Sequence, residues 1–134
     1  MLFKSMTVLL VIAFTFSSCK KDKDDVATPS VSPVVGKWNG TFTLEGAPIG
    51  TLYLVLKQDG TAEAQNSAAQ KTGEGTWKLG GSAGVTFSCS FITVGGSQKT
   101  NLLGTLIEPT KINGSWGTGS SQFNGGFFNV TKQP

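Results

Sequence analysis

From Val35 to the C-terminus the chain alternates apolar and polar residues and breaks at Gly-rich turns about every 10 to 14 residues. No 3.6-residue periodicity competes with that pattern. In Lys37 to Glu45, Trp38, Gly40, Phe42 and Leu44 fall on one face while Lys37, Asn39, Thr41, Thr43 and Glu45 fall on the other. Such a segment is a strand with one dry and one wet face. The same reading gives strands over Thr51–Lys57, Thr61–Gln65, Gly73–Leu79, Ala83–Val94, Thr100–Ile107, Lys111–Gly117 and Phe123–Lys132. The connections at Asp59-Gly60, Gly80-Gly81, Gly95-Gly96-Ser97 and Glu108-Pro109-Thr110 are short, so consecutive strands should be antiparallel neighbours. An all-β chain of this kind is expected to close into an eight-stranded antiparallel up-and-down barrel, because closure removes the two exposed sheet edges.

Three Gly-x-Trp units, Gly36-Lys37-Trp38, Gly75-Thr76-Trp77 and Gly114-Ser115-Trp116, recur 39 residues apart. A propeller or trefoil built on that interval needs a longer chain, and three strands separate successive units, so neighbouring units run in opposite directions. The spacing is therefore not read as a repeat fold. Gly36-Lys37-Trp38 at the entry to the first strand resembles the opening of lipocalins and the wider calycin group. The resemblance implies a lipocalin-like barrel over residues 35–134, with Trp38 as a structural plug at one end. Avidin-like chains open in a similar way. The arginine that usually packs over that tryptophan is absent, as is a biotin-site pattern, so no specific ligand is carried over.

If the alternation holds, the inward set is Trp38, Phe42, Leu44, Leu52, Leu54, Leu56, Trp77, Leu79, Val85, Phe87, Cys89, Phe91, Ile112, Trp116 and Phe127. Either these side chains simply fill the core, or some of them line an apolar cavity at the open end. On the second reading Trp77, Phe87, Phe91 and Trp116 are the candidate ligand contacts, with Asn or Ser groups at the rim fixing orientation. Cys89 reads as a small buried hydrophobe. Tyr53, Val55, Ile92, Val94, Leu102 or Leu103, Ile107, Phe128 and Val130 are then left pointing outward. An outward apolar patch indicates a contact surface, unless bulges or a one-residue register shift hide it.

Composition narrows the chemistry. The chain contains neither arginine nor histidine. Residues 35–134 carry seven lysines against five carboxylates, a scattered balance of +2 that lacks the clustering and fork geometry of nucleic-acid binders. Without histidine there is no Ser-His-Asp or Cys-His arrangement and no His-based zinc site. Only a carboxylate pair or a lone lysine remains as possible machinery, and the glutamates lie next to turns where solvated charges sit. A non-enzyme without cofactor, metal or nucleic-acid partner is expected.

The N-terminus reads as an address. Lys4 is followed by the apolar run Met6 to Phe16, too short for a spanning helix of about 20 residues, and then by Ser17-Ser18-Cys19. This resembles a bacterial lipoprotein signal peptide, which implies cleavage after Ser18 and a diacylglycerol anchor on the Cys19 thiol. Phe16 stands where that pattern usually has an aliphatic residue. Residues 1–18 are thus expected to be a cleaved signal and residues 19–34, rich in charge, Ser, Thr and Pro, a solvated tether. Lys23-Asp24-Asp25 resembles the export signal of Bacteroidetes surface lipoproteins. The expected location is the outer membrane, facing either the cell surface or the periplasm. With Cys19 acylated, Cys89 has no disulfide partner. Together these features suggest a lipid-anchored envelope protein that holds a small apolar or amphipathic ligand. The alternative is a protein-interaction barrel, either protease-inhibitor-like or an accessory subunit of an outer-membrane complex.

Overall fold

The computed structural model describes residues 31–134. The expected signal, Cys19 and most of the expected tether lie outside the described residues. Eight strands follow one another in chain order: β1 (Gly36–Leu44), β2 (Ala47–Leu56), β3 (Thr61–Gln65), β4 (Lys71–Gly80), β5 (Thr86–Thr93), β6 (Lys99–Glu108), β7 (Lys111–Thr118) and β8 (Gly126–Lys132). Each pairs antiparallel with the next, and β8 pairs back onto β1, so the sheet is a closed up-and-down barrel. Closure leaves no strand edge unpaired.

Short-range chemistry sets the turns. Leu44 pairs with Ala47 across Glu45-Gly46, both at positive φ, a two-residue turn whose twist matches that of the flanking strands. At the β2–β3 turn the Asp59 carboxylate accepts hydrogen bonds from the Thr61 backbone N–H (2.9 Å) and hydroxyl (2.6 Å). Those two bonds, the hydroxyl first, hold its carboxyl below the usual carboxylate range.

The chain enters beneath the barrel and closes that end. Val34 and Trp38 are both fully buried, and the Trp38 indole N–H donates to the Val34 carbonyl at 2.8 Å. The other two Gly-x-Trp indoles do similar work in different places. Trp77 donates to the Lys57 carbonyl under the β2–β3 turn, and Trp116 donates to the Thr43 carbonyl near the opposite end. A buried indole N–H needs such a partner. The recurrence is thus one of local chemistry, with each unit tying a different pair of segments.

The core runs continuously through Val34, Trp38, Leu52, Leu54, Leu56, Ala62, Ala64, Trp77, Phe87, Cys89, Phe91, Leu102, Ile112, Phe128 and Val130. The alternation in β1, β2, β4 and β5 places its apolar residues as expected, apart from Leu44, which is exposed where β1 enters the turn. In β8 the expected register is off by one residue: Phe128 and Val130 are buried, while Phe127 is 68% exposed. The reason lies two strands away. Gly104 and Gly114 face each other across β6 and β7, and a Cβ on Gly104 would lie only 3.0 Å from the Phe128 ring. The space left by that missing side chain admits Phe128 and turns Phe127 outward. On β6 it is Leu102 that is buried, with Leu103 half-buried on the outer wall.

Candidate functional site

The four aromatic residues expected to contact a ligand occupy the barrel interior. Trp77, Phe87 and Phe91 belong to the buried core, and Trp116 packs against it, edge-on to Phe42 with ring centroids 5.1 Å apart. Cys89 lies beside them on β5 and pairs with Trp77 and Leu102 across the neighbouring strands. Burial pushes its thiol up to about 12, so it stays protonated and unreactive at neutral pH.

An open groove of about 810 Å³ lies instead on the outer wall of β5–β8. It is built from the outward positions of four strands. One row across the sheet runs Thr86, Thr105, Asn113 and Asn129, each the register partner of the next, and ends beside Thr41 on β1. The adjacent row runs Ser88, Leu103, Ser115, Phe127 and Thr43. Pleating gives both rows the same outward direction, because they lie two residues apart on every strand. The first row is polar, and the second carries Leu103 and the exposed Phe127 ring.

The loop from β7 to β8 supplies the remaining wall. It folds over the outer face of β6, where it buries Asn101 to 4% exposure. The Asn101 amide donates to the carbonyls of Gly119 (2.9 Å) and Ser121 (2.8 Å), and its oxygen accepts from the Ser90 hydroxyl at 2.8 Å. Within the loop, Asn124 accepts from the Thr118 N–H, and the Ser121 hydroxyl accepts from the N–H groups of Phe123 and Asn124. Gly117 lets the loop lie close, since a Cβ there would sit 2.6 Å from the Ser121 carbonyl oxygen. These bonds hold Phe123, 67% exposed, on the groove alongside Phe127.

Among the described residues, no ionisable side chain lines this groove. Six of the charged residues form the surface ion pairs Lys57–Glu63, Lys71–Glu74 and Lys111–Glu108, all outside the groove. Glu63 and Glu74 are register partners on β3 and β4. The hydrogen bond from Lys57 holds Glu63 below its ordinary value, the reverse of the upward shift that a general acid requires.

Of the residues that build this wall, the sequence alternation gives Leu103 as one of two possible outward leucines and Phe127 as inward; Asn101, Asn113 and Phe123 carry no separate signal. Their union depends on which faces four separate strands present. No family model matches the chain, and no curated protein or solved structure does either.

Proposed function

We propose that the protein is a lipid-anchored, non-enzymatic binding protein of the bacterial cell envelope, attached at the outer membrane through Cys19, and that its barrel holds a small amphipathic ligand. The observation that carries the binding reading is the outer-wall groove, where two exposed phenylalanines stand beside a row of amide and hydroxyl groups. An apolar surface joined to a few convergent polar groups is the usual make-up of a ligand site. The barrel's interior is apolar and its outer wall bears lysines, threonines and asparagines, the inverse of a barrel that spans lipid. That polarity suits a domain held in water by a tether.

The geometry also supports an orientation. The tether joins β1 at the end that carries the β2–β3, β4–β5 and β6–β7 turns, where Lys132 donates to the Pro33 carbonyl at 2.7 Å. Leu44, Ile49, Ile92, Val94, Phe123 and Phe127, all exposed, lie toward the opposite end. On this reading six of the eight exposed large apolar side chains among the described residues face away from the point of attachment, while Val31 and Ile107 lie at the near end. Ile49, Ile92 and Val94 lie outside the groove and favour the second reading, a protein-interaction barrel that docks an envelope partner on that rim.

Mass spectrometry of the protein purified from its native membrane tests the first proposal. The expected spectrum shows a mature chain starting at Cys19 with the added mass of a diacylglycerol and acyl group. A mature chain that retains residues 1–18, or an unmodified Cys19, overturns the anchoring. For binding, a thermal-shift series with amphipathic probes should raise the melting midpoint, because a ligand that binds only the folded state stabilises it. No shift across detergents, lipids and glycans overturns it. Copurification of a stoichiometric envelope protein, lost in Ile92→Asp, is the outcome expected of the second reading.

A further inference from the structure

We infer that the ligand of the β5–β8 groove is a neutral oligosaccharide, an inference that rests on the groove being the binding site. Three properties of the groove select this class. First, its lining holds no lysine, aspartate or glutamate among the described residues, so an anionic or cationic ligand would surrender its hydration without gaining a counter-charge. A fatty acid or phosphorylated headgroup is disfavoured for that reason. Second, the groove is open and a row of hydroxyl and amide groups runs beside its apolar surface, which suits a purely apolar molecule poorly, since that needs enclosure by apolar side chains on all sides. Third, the groups that are present match the two faces of a pyranose ring. The C–H face of a sugar packs flat on an aromatic ring, as Phe123 and Phe127 offer at 67% and 68% exposure.

The hydroxyl edge of a sugar both donates and accepts, and so do Asn, Ser and Thr side chains. The side chains of Thr105, Asn113 and Ser115 have no protein hydrogen-bond partner among the described residues. Asn129 is held in place by donating to Thr41 Oγ1 at 3.0 Å, which leaves its carbonyl oxygen as an acceptor. The polar row from Thr86 to Asn129 crosses four strands at about 4.8 Å per step, or roughly 14 Å in all. That length accommodates a short run of sugar rings better than one. The row is regular because register partners on a closed barrel cannot slip, so spacing between the polar groups is fixed before any ligand arrives.

Native affinity electrophoresis of the full-length chain in a neutral detergent tests the inference. Gels contain dextran, β-glucan, glucomannan, xylan or arabinogalactan, with polygalacturonate as the acidic control. The expected result is retardation by at least one neutral glycan and none by polygalacturonate. Phe127→Ala and Asn113→Ala should each weaken that retardation at least tenfold, while Ile92→Ala, outside the groove, leaves it intact. Both groove positions are exposed, and an unchanged melting midpoint verifies that the variants fold. A parallel titration with the neutral fluorescent apolar dye N-phenyl-1-naphthylamine separates the two levels of failure. Dye binding that is lost in Phe127→Ala, without retardation by any neutral glycan, overturns the saccharide inference and leaves the groove as a site. Absence of both glycan and dye binding overturns the site as well. Retardation by polygalacturonate alone, or retardation unaffected by either groove variant, also refutes the inference.

Discussion

Replacing Asn101 by alanine tests whether the β7–β8 loop is held to the barrel by one side chain. The residue makes three hydrogen bonds of 2.8 to 2.9 Å in a nearly water-free position. Net contributions of about 0.5 to 1.5 kcal/mol per bond bracket the loss between about 1.5 and 4.5 kcal/mol. Gly119 is exposed and Ser121 half-exposed, so their carbonyls regain water once the amide is gone, and the lower part of that range applies. About 2 kcal/mol is expected, which for a domain of roughly 100 residues lowers the melting midpoint by about 8 to 15 °C. Urea unfolding followed by tryptophan emission gives the free energy directly, because Trp38, Trp77 and Trp116 are distributed around the barrel. Asn101→Asp provides the sharper comparison. It keeps an acceptor for Ser90 but sets a second carboxylate oxygen against the Gly119 and Ser121 carbonyls in place of the donor. The aspartate variant should therefore be less stable than the alanine variant at pH 7 and recover part of the difference as the carboxyl protonates in acid. An alanine cost below about 0.5 kcal/mol, or an aspartate variant as stable as wild type, would refute the reasoning.

The register of β8 predicts an asymmetric pair: Phe128→Ala should cost about 3 to 5 kcal/mol by urea unfolding, while Phe127→Ala stays within about 0.5 kcal/mol. Gly114→Ala should fail to give a folded barrel, because the new methyl would overlap the Leu103 backbone on the paired strand; a cooperative melt near the wild-type midpoint would contradict that packing. The Cys89 thiol should resist a disulfide-exchange reagent at pH 8 in the native protein and react at once in urea, with fast native labelling as the opposing result. Its folded pKa, about 12, lies above the ordinary 9.0, so its contribution is fully present below pH 9 and is lost as pH rises toward 12. Wild type should therefore lose stability relative to Cys89→Ala over that window, at a limiting slope of about 1.4 kcal/mol per pH unit.

Much of the fold was legible because strand formation and tight turns are local. The alternation of Trp38, Gly40, Phe42 and of Leu52, Leu54, Leu56 marks the buried face without reference to any partner. Turn chemistry at Asp59-Gly60 then fixes which strands are neighbours. Strand β8 shows where that logic stops. Phe127 and Phe128 are adjacent and identical, so periodicity alone assigns either one to the core. The groove was less legible still, for its polar row draws single residues from β5, β6, β7 and β8, each unremarkable in its own segment. Asn101 reads as one more solvent-facing residue of a strand until the loop some 20 positions later returns to cover it.

The sequence by itself determined the number of strands, their antiparallel order and the apolar character of the barrel interior, since each follows from contacts between residues close in the chain. It also determined that histidine- and arginine-based chemistry is unavailable. Only the tertiary structure decided which of two phenylalanines enters the core and where the exposed apolar surface gathers. Those choices depend on side chains that are missing on distant strands, at Gly104 and Gly117, and on one buried amide bonding across loops. Steric room of that kind exists only after the barrel has closed, and no local pattern encodes it.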